Sequence, residues 1–172
     1  MLKANDFFTL PKDFPFKDYF SLSDAPWEWL TKIKDSLADY PFQDTSIDVP
    51  SNLSIKGKVF IHPTVKLPSY GSIEGPCYIG KNTELRPGIY IRGNVIVGEN
   101  CVLGNSCEFK NTLILDNAQI PHFTYVGDSI IGNKAHLGAG VICSNLRLDQ
   151  KDIKIFDLEK KSHDTKMRKL GA

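Results

Sequence analysis

From residue 55 onward the apolar positions of this chain return every sixth residue. Ile55, Ile61, Leu67, Ile73, Ile79, Leu85, Ile91, Val97, Leu103, Phe109 and Leu115 keep one frame; ten of those eleven are Ile, Leu or Val, types that fill only 40 of the 172 positions. A helix repeats its buried face every 3.6 residues and a flat strand every two, so neither produces a beat of six over this distance. Two or three residues after the anchors stand Gly57, Gly75, Asn82, Gly88, Gly93, Asn94, Asn100, Asn105, Asn111 and Asn117. Gly and Asn enter left-handed backbone conformations at little cost, so each hexad reads as a short strand followed by a corner. The fifth hexad position holds Val59, Val65, Cys77, Thr83, Ile89, Val95, Cys101, Cys107 and Leu113, mostly small or β-branched and suited to a narrow interior. The pattern predicts a parallel β-helix of hexapeptide repeats, an all-β fold with an aliphatic column inside and coils stacked at about 4.8 Å.

The frame then shifts. Counting back from Leu137 gives Ile131 and Tyr125, so Pro121-His122-Phe123-Thr124 reads as four extra residues bulging outward from a corner. Pro121 lacks the amide donor that a ladder needs, which fits an interruption. Such a bulge holds the imidazole of His122 clear of the stack, ready for proton transfer near neutral pH.

Residues 1–54 lie outside the beat, 55–150 follow it and 151–172 leave it. This predicts an aromatic-rich helical segment, the β-helix, and a C-terminal strand with a polar loop. In "SDAPWEWLTKIKDSLADYP" Asp24 is the expected N-cap and Pro26 suits the first turn; Trp27, Leu30, Ile33 and Leu37 share one face. Phe7, Phe8, Phe14, Phe16, Tyr19 and Phe20 are expected to join that face and cap the open end of the coil, a sheet edge in need of cover. Ile153 and Ile155 alternate with charged residues as in an edge strand, and Lys160, Lys161, Lys166, Arg168 and Lys169 read as a solvated loop.

Charge narrows the functional classes. With 21 basic and 20 acidic residues the net charge is +1, and no strong field points to nucleic acid or to a membrane surface. No run is apolar enough to cross a bilayer and the start lacks the regions of a signal peptide, so the cytoplasm is the expected compartment. The four cysteines form no CxxC pair, and His62, His122, His136 and His163 make no ligand cluster with them, so no metal is expected.

The segments "ELRPG", "GNSCEFKNTLI", "PHFTYVGDSIIG" and "LGAGVICSNLRLD" resemble the left-handed β-helix domain of bacterial and archaeal sugar-1-phosphate nucleotidylyltransferase/acetyltransferases, on their acetyltransferase half. The resemblance covers residues 67 to 170. It implies a left-handed helix, a homotrimer with sites in clefts between neighbouring prisms, and acetyl-CoA as acyl donor to a hexosamine 1-phosphate. His122 matches the family's catalytic base, which takes a proton from the sugar amine as it attacks the thioester. Lys110 matches the lysine on the sugar phosphate, and Tyr125 a tyrosine contacting the same substrate. Asn145 matches an asparagine near the reacting amine, Lys151 a further basic residue, and Leu137-Gly138-Ala139-Gly140 the stretch beside coenzyme A.

The phosphate-binding arginine has two counterparts. Arg86 keeps the family's Arg-Pro-Gly; Arg92 keeps its spacing to the lysine, eighteen residues, one turn of a triangular coil. Arg92 should lie directly beneath Lys110, where two cations repel unless an anion sits between them. In the competing reading Glu74 pairs with Arg92 and Lys110 is merely solvated. His136 stands where the family has asparagine, Leu146 where it has tyrosine, and the chain stops at "RKLGA", where the family re-enters the helix. No nucleotide-binding loop precedes the repeat, so uridylyl transfer is not expected. Two functions follow: an N-acetyltransferase, or a non-catalytic trimeric module that binds a sugar phosphate or partners a separate nucleotidylyltransferase.

Overall fold

The structure, a computed structural model, describes residues 2–43 and 47–172. Strands β1 (Asn52–Lys56), β2 (Val59–Ile61), β3 (Tyr70–Glu74), β4 (Cys77–Ile79), β5 (Glu84–Leu85), β6 (Ile89–Arg92), β7 (Val95–Val97), β8 (Val102–Asn105), β9 (Glu108–Ile114), β10 (Gln119–His122), β11 (Tyr125–Ile131) and β12 (Ile142–Cys143) wind into a parallel β-solenoid. Its first wall stacks β1, β3, β6, the first halves of β9 and β11, and β12. The second stacks β2, β4, β7 and the second halves of β9 and β11; the third stacks β5, β8 and β10. Anchors such as Ile73, Ile91, Val97, Leu103 and Phe109 fill the interior column and are buried completely.

The register revises the reading of the shifted frame. Ile73 faces Ile91, Ile79 faces Val97 and Leu85 faces Leu103, each eighteen residues on. One coil later the step is seventeen on every wall: Val97 to Ile114, Leu103 to Ile120, Phe109 to Val126. The cause lies at a corner. The earlier coil turns it with two left-handed residues, Gly93 and Asn94; the later coils use one, Asn111 and then Asp128. Two coils each short by one residue displace a six-residue frame as an insertion of four does. No bulge exists at Pro121–Thr124, and His122 is the last residue of β10. Ile114 and Val126, not Leu115 and Tyr125, carry the column; Leu113 and Leu115 belong to the outer cluster, while buried Thr112 faces Val95 in the expected interior place of Leu113. Of the expected corner residues, Asn105 stays in β8 and Ser106 takes the left-handed turn, and Gly75 precedes a cis Pro76 without entering that region.

The N-terminal segment enters through a 3₁₀ turn, Pro26–Glu28, into helix α1, Trp29–Ala38. Asp24 does not cap it: its carboxylate accepts from Lys32 Nζ at 2.5 Å, and the Glu28 side chain accepts from the Ala25 amide. Trp27, Leu30, Ile33 and Leu37 are buried together, with Phe14, Phe16 and Phe20. They cover a flank of the solenoid and not its end, because the outward residues Tyr78, Ile96, Leu113 and Ile130 of the second wall are apolar. The C-terminal hairpin, β13 (Lys154–Phe156) and β14 (Ser162–Asp164), adds Ile155 to that cluster, and the five basic residues of the loop are exposed.

Candidate functional site

The first wall and the corner after it gather most of the polar groups singled out in the sequence. Arg92 ends β6, whose Ile91 faces Phe109, so the same offset sets Arg92 under Lys110. Each cation has a carboxylate from the chain itself. Arg92 Nη1 donates to Glu108 Oε1 at 2.6 Å, which holds the guanidinium above its ordinary pKa, and its Cζ lies 5.9 Å from the Tyr90 ring centre. Lys110 Nζ lies 3.5 Å from Asp128 Oδ2. Glu74 faces Arg92 across the ladder, but Glu108 takes the guanidinium, so the expected choice between an exogenous anion and Glu74 is met by a third group.

Asp128 is the centre of this region, and sequence reasoning assigned it no role. It is 5% exposed and left-handed at φ +48. Its Oδ1 accepts from Asn111 Nδ2 at 2.8 Å and its Oδ2 from Asn145 Nδ2 at 2.5 Å. Asn145 Nδ2 also lies 3.3 Å from the Tyr125 hydroxyl. The two meet over Gly127, where a Cβ would stand 2.3 Å from the Tyr125 oxygen. A spacing of seventeen (Asn94, Asn111, Asp128, Asn145) is the signal that points to Asp128, and a six-residue frame hides it. Asn111 and Asp128 of this corner also line a cleft of about 610 Å³, closed by Leu30 and Thr31 of α1 and by Leu146, Gln150, Arg168 and Lys169.

His122 lies one corner away on the third wall, opposite Asn105. Its carbonyl accepts from Thr124 Oγ1 at 2.8 Å and from the Gly140 amide at 3.3 Å, which pins the backbone while the imidazole is exposed. Phe123 follows at φ +47 and 59% exposed, a conformation that costs a bulky residue about 1–3 kcal/mol. Arg86 shares that wall with His122 and is held by Glu84 at 2.8 Å, so it is separated from Lys110. Lys151 and His136 are exposed, His136 opposite Gln119, and neither joins the network around Asp128.

Leu137 is half-buried, and Gly138, Ala139 and Gly140 are exposed. A Cβ at Gly138 or Gly140 would meet nothing within 4 Å, so the surface there is open, although the Gly140 amide itself is given to His122 O. All four cysteines are buried, and burial pushes the Cys101 thiol up to about 12, which suits packing and not nucleophilic chemistry. Among the described residues no three metal-ligating side chains gather, and no helix is long and apolar enough to cross a membrane.

Comparison with known proteins agrees with this geometry. Residues 73–158 match the family model described as "GMPPB C-terminal domain". The chain is 37% identical over 157 residues to a bifunctional sugar-1-phosphate nucleotidylyltransferase/acetyltransferase of Sulfurisphaera tokodaii, covering 91% of the chain and 39% of that protein. It is 36% identical over 161 residues to the bifunctional protein GlmU of Methanocaldococcus jannaschii, with 94% and 39% covered. Against GlmU of Methanococcus maripaludis strain C5 it is 42% identical over 124 residues, 72% of the chain and 30% of that protein. The chain thus spans about two-fifths of the length of these relatives. A parallel solenoid of seventeen- and eighteen-residue coils, matched over half its length by one family model, places this chain in the family of the GMPPB C-terminal domain, as a relative of the acetyltransferase half of GlmU-like proteins.

Proposed function

We propose that the protein is an acetyl-CoA-dependent N-acetyltransferase acting on a hexosamine 1-phosphate, working as a homotrimer. One observation carries the reading: His122 presents an exposed imidazole on a backbone held by two hydrogen bonds, three residues before the tyrosine that contacts Asn145. In this mechanism the neutral imidazole of His122 takes a proton from the sugar amine as its nitrogen attacks the thioester carbonyl. The thiolate of coenzyme A leaves and the nitrogen keeps the acetyl group. Lys110 and Arg92 bind the phosphate. The Arg92–Glu108 pair is exposed and screened, so a phosphate exchanges with Glu108 at little cost. At 3.5 Å the Lys110 ammonium is close to Asp128 yet keeps its own protons for the ligand. Tyr125 and Asn145 orient the sugar. Acetyl-CoA supplies the acyl group, its chain lying along Leu137–Gly140, and Arg86 and Lys151 act at the margin.

The test is incubation with acetyl-CoA and glucosamine 1-phosphate, read by release of free thiol. His122→Ala lowers turnover by roughly 10²–10⁴-fold, the contribution of a general base; a loss below tenfold removes His122 from the mechanism. A second reading has its own support. Both cations are already neutralised by Glu108 and Asp128, and His136 stands at the family's asparagine position, which suits a trimeric module that binds without turnover or partners a separate nucleotidylyltransferase. Calorimetric titration with acetyl-CoA separates the two: no heat at millimolar ligand favours the module.

A further inference from the structure

The corner that carries Asp128 is a ladder of amides. Asn94, Asn111 and Asp128 occupy equivalent left-handed positions in successive coils at φ +51, +47 and +48, and Asn145 follows at the same spacing. An asparagine suits every rung on conformational grounds. At one rung the chain has a carboxylate instead, and burying it is costly unless its oxygens are satisfied. They are: one accepts from the rung below, Asn111, the other from the rung above, Asn145, and Lys110 supplies the counter-charge.

The substitution of carboxylate for amide has a geometric effect. A carboxylate accepts only, so both neighbouring amides turn their NH₂ groups toward it. Asn145 Oδ1 is then left as an acceptor with no donor from the described residues, and the Tyr125 hydroxyl, contacted by Asn145 Nδ2, keeps its own proton to donate. An asparagine at this rung would present a donor to one of its neighbours and let that amide flip. We propose that Asp128 is the positioning residue of the acceptor site: its carboxylate orients Asn145, and through it Tyr125, while drawing the Lys110 ammonium to the same corner. The ligand is that of the function proposed above, and this inference rests on that reading for its chemistry.

Charge and position give opposite signs, which makes the idea testable. A negative group beside a phosphate site repels the ligand, so if Asp128 acted only through its charge, Asp128→Asn would tighten binding. As a positioning residue, its loss weakens binding although repulsion has been removed. The experiment is calorimetric titration of wild type and Asp128→Asn with glucosamine 1-phosphate, alongside thermal melting. A Kd raised at least tenfold at an unchanged melting temperature is expected, with the KM for the sugar phosphate rising and that for acetyl-CoA constant. An equal or lower Kd overturns the proposal. Should Asp128→Asn fail to fold, Asp128→Gly, which tolerates the left-handed backbone, takes its place with the same criteria. If wild type binds no glucosamine 1-phosphate, the functional reading fails by itself, and the side-chain amide resonances decide on Asp128. Those of Asn111 and Asn145 shift in Asp128→Asn if the carboxylate orients them; unmoved resonances refute the role.

Discussion

At the scale of single residues, two glycines separate fold from site. A Cβ at Gly104 would stand 1.9 Å from the backbone of Pro121 in the next coil, where nothing yields cheaply. Gly104→Ala is therefore expected to destabilise the third wall by about 1–3 kcal/mol, the usual cost of overpacking, read as a lower urea midpoint. The atoms nearest a Cβ at Gly127 are the Tyr125 hydroxyl and Cζ and the Asn145 amide nitrogen, side-chain ends that can swing away. Gly127→Ala should leave the midpoint nearly unchanged and weaken glucosamine 1-phosphate binding several-fold; the reverse pattern would place Gly127 in the packing and not in the site. His122 and Lys110 were legible as candidates, through the shifted frame and the resemblance to the family. Asp128 and Glu108 were not, since a carboxylate in a repeat looks like a solvated corner until the register shows which cation it faces.

At the scale of elements, hexad anchors predicted strands well through Phe109 and then failed. Coil length depends on how many residues turn a corner, and one left-handed residue serves where two served before. That choice leaves no hydrophobic signature, so a contraction and an insertion look alike in the periodicity. The N-terminal helix shows the complementary case. Its apolar face was readable from spacing, but its partner was not: Tyr78, Ile96 and Leu113 point outward from the second wall, and their apolar character selects that flank. Trp29 is fully buried there and its indole N–H donates to Ser21 O at 2.9 Å. Trp29→Ala is expected to cost about 3–5 kcal/mol and to expose the flank, seen as a drop in melting temperature together with binding of a hydrophobic dye. A change under 1 kcal/mol would mean that the segment contributes little to stability.

At the scale of the whole molecule, the solenoid buries one continuous column, and the N-terminal segment covers its second wall. The first wall carries exposed Tyr70, Tyr90 and Ile142 beside the cations of the site. The homotrimer proposed with the acetyltransferase activity predicts three chains per particle in sedimentation equilibrium, and a monomer at working concentration would remove the inter-prism cleft from the mechanism.

The sequence by itself determined that this is a hexapeptide-repeat solenoid, and it singled out His122, Lys110 and Tyr125 as the groups on which the proposed chemistry rests. Period and residue type are local properties, and both survive in a single chain of letters. Tertiary structure alone decided which residue lies above which: Ile114 and not Leu115 in the column, Glu108 on Arg92, and Asp128 between Asn111 and Asn145. Vertical neighbours depend on the summed length of three sides and three corners, so one residue more or less at a turn reassigns every contact above it.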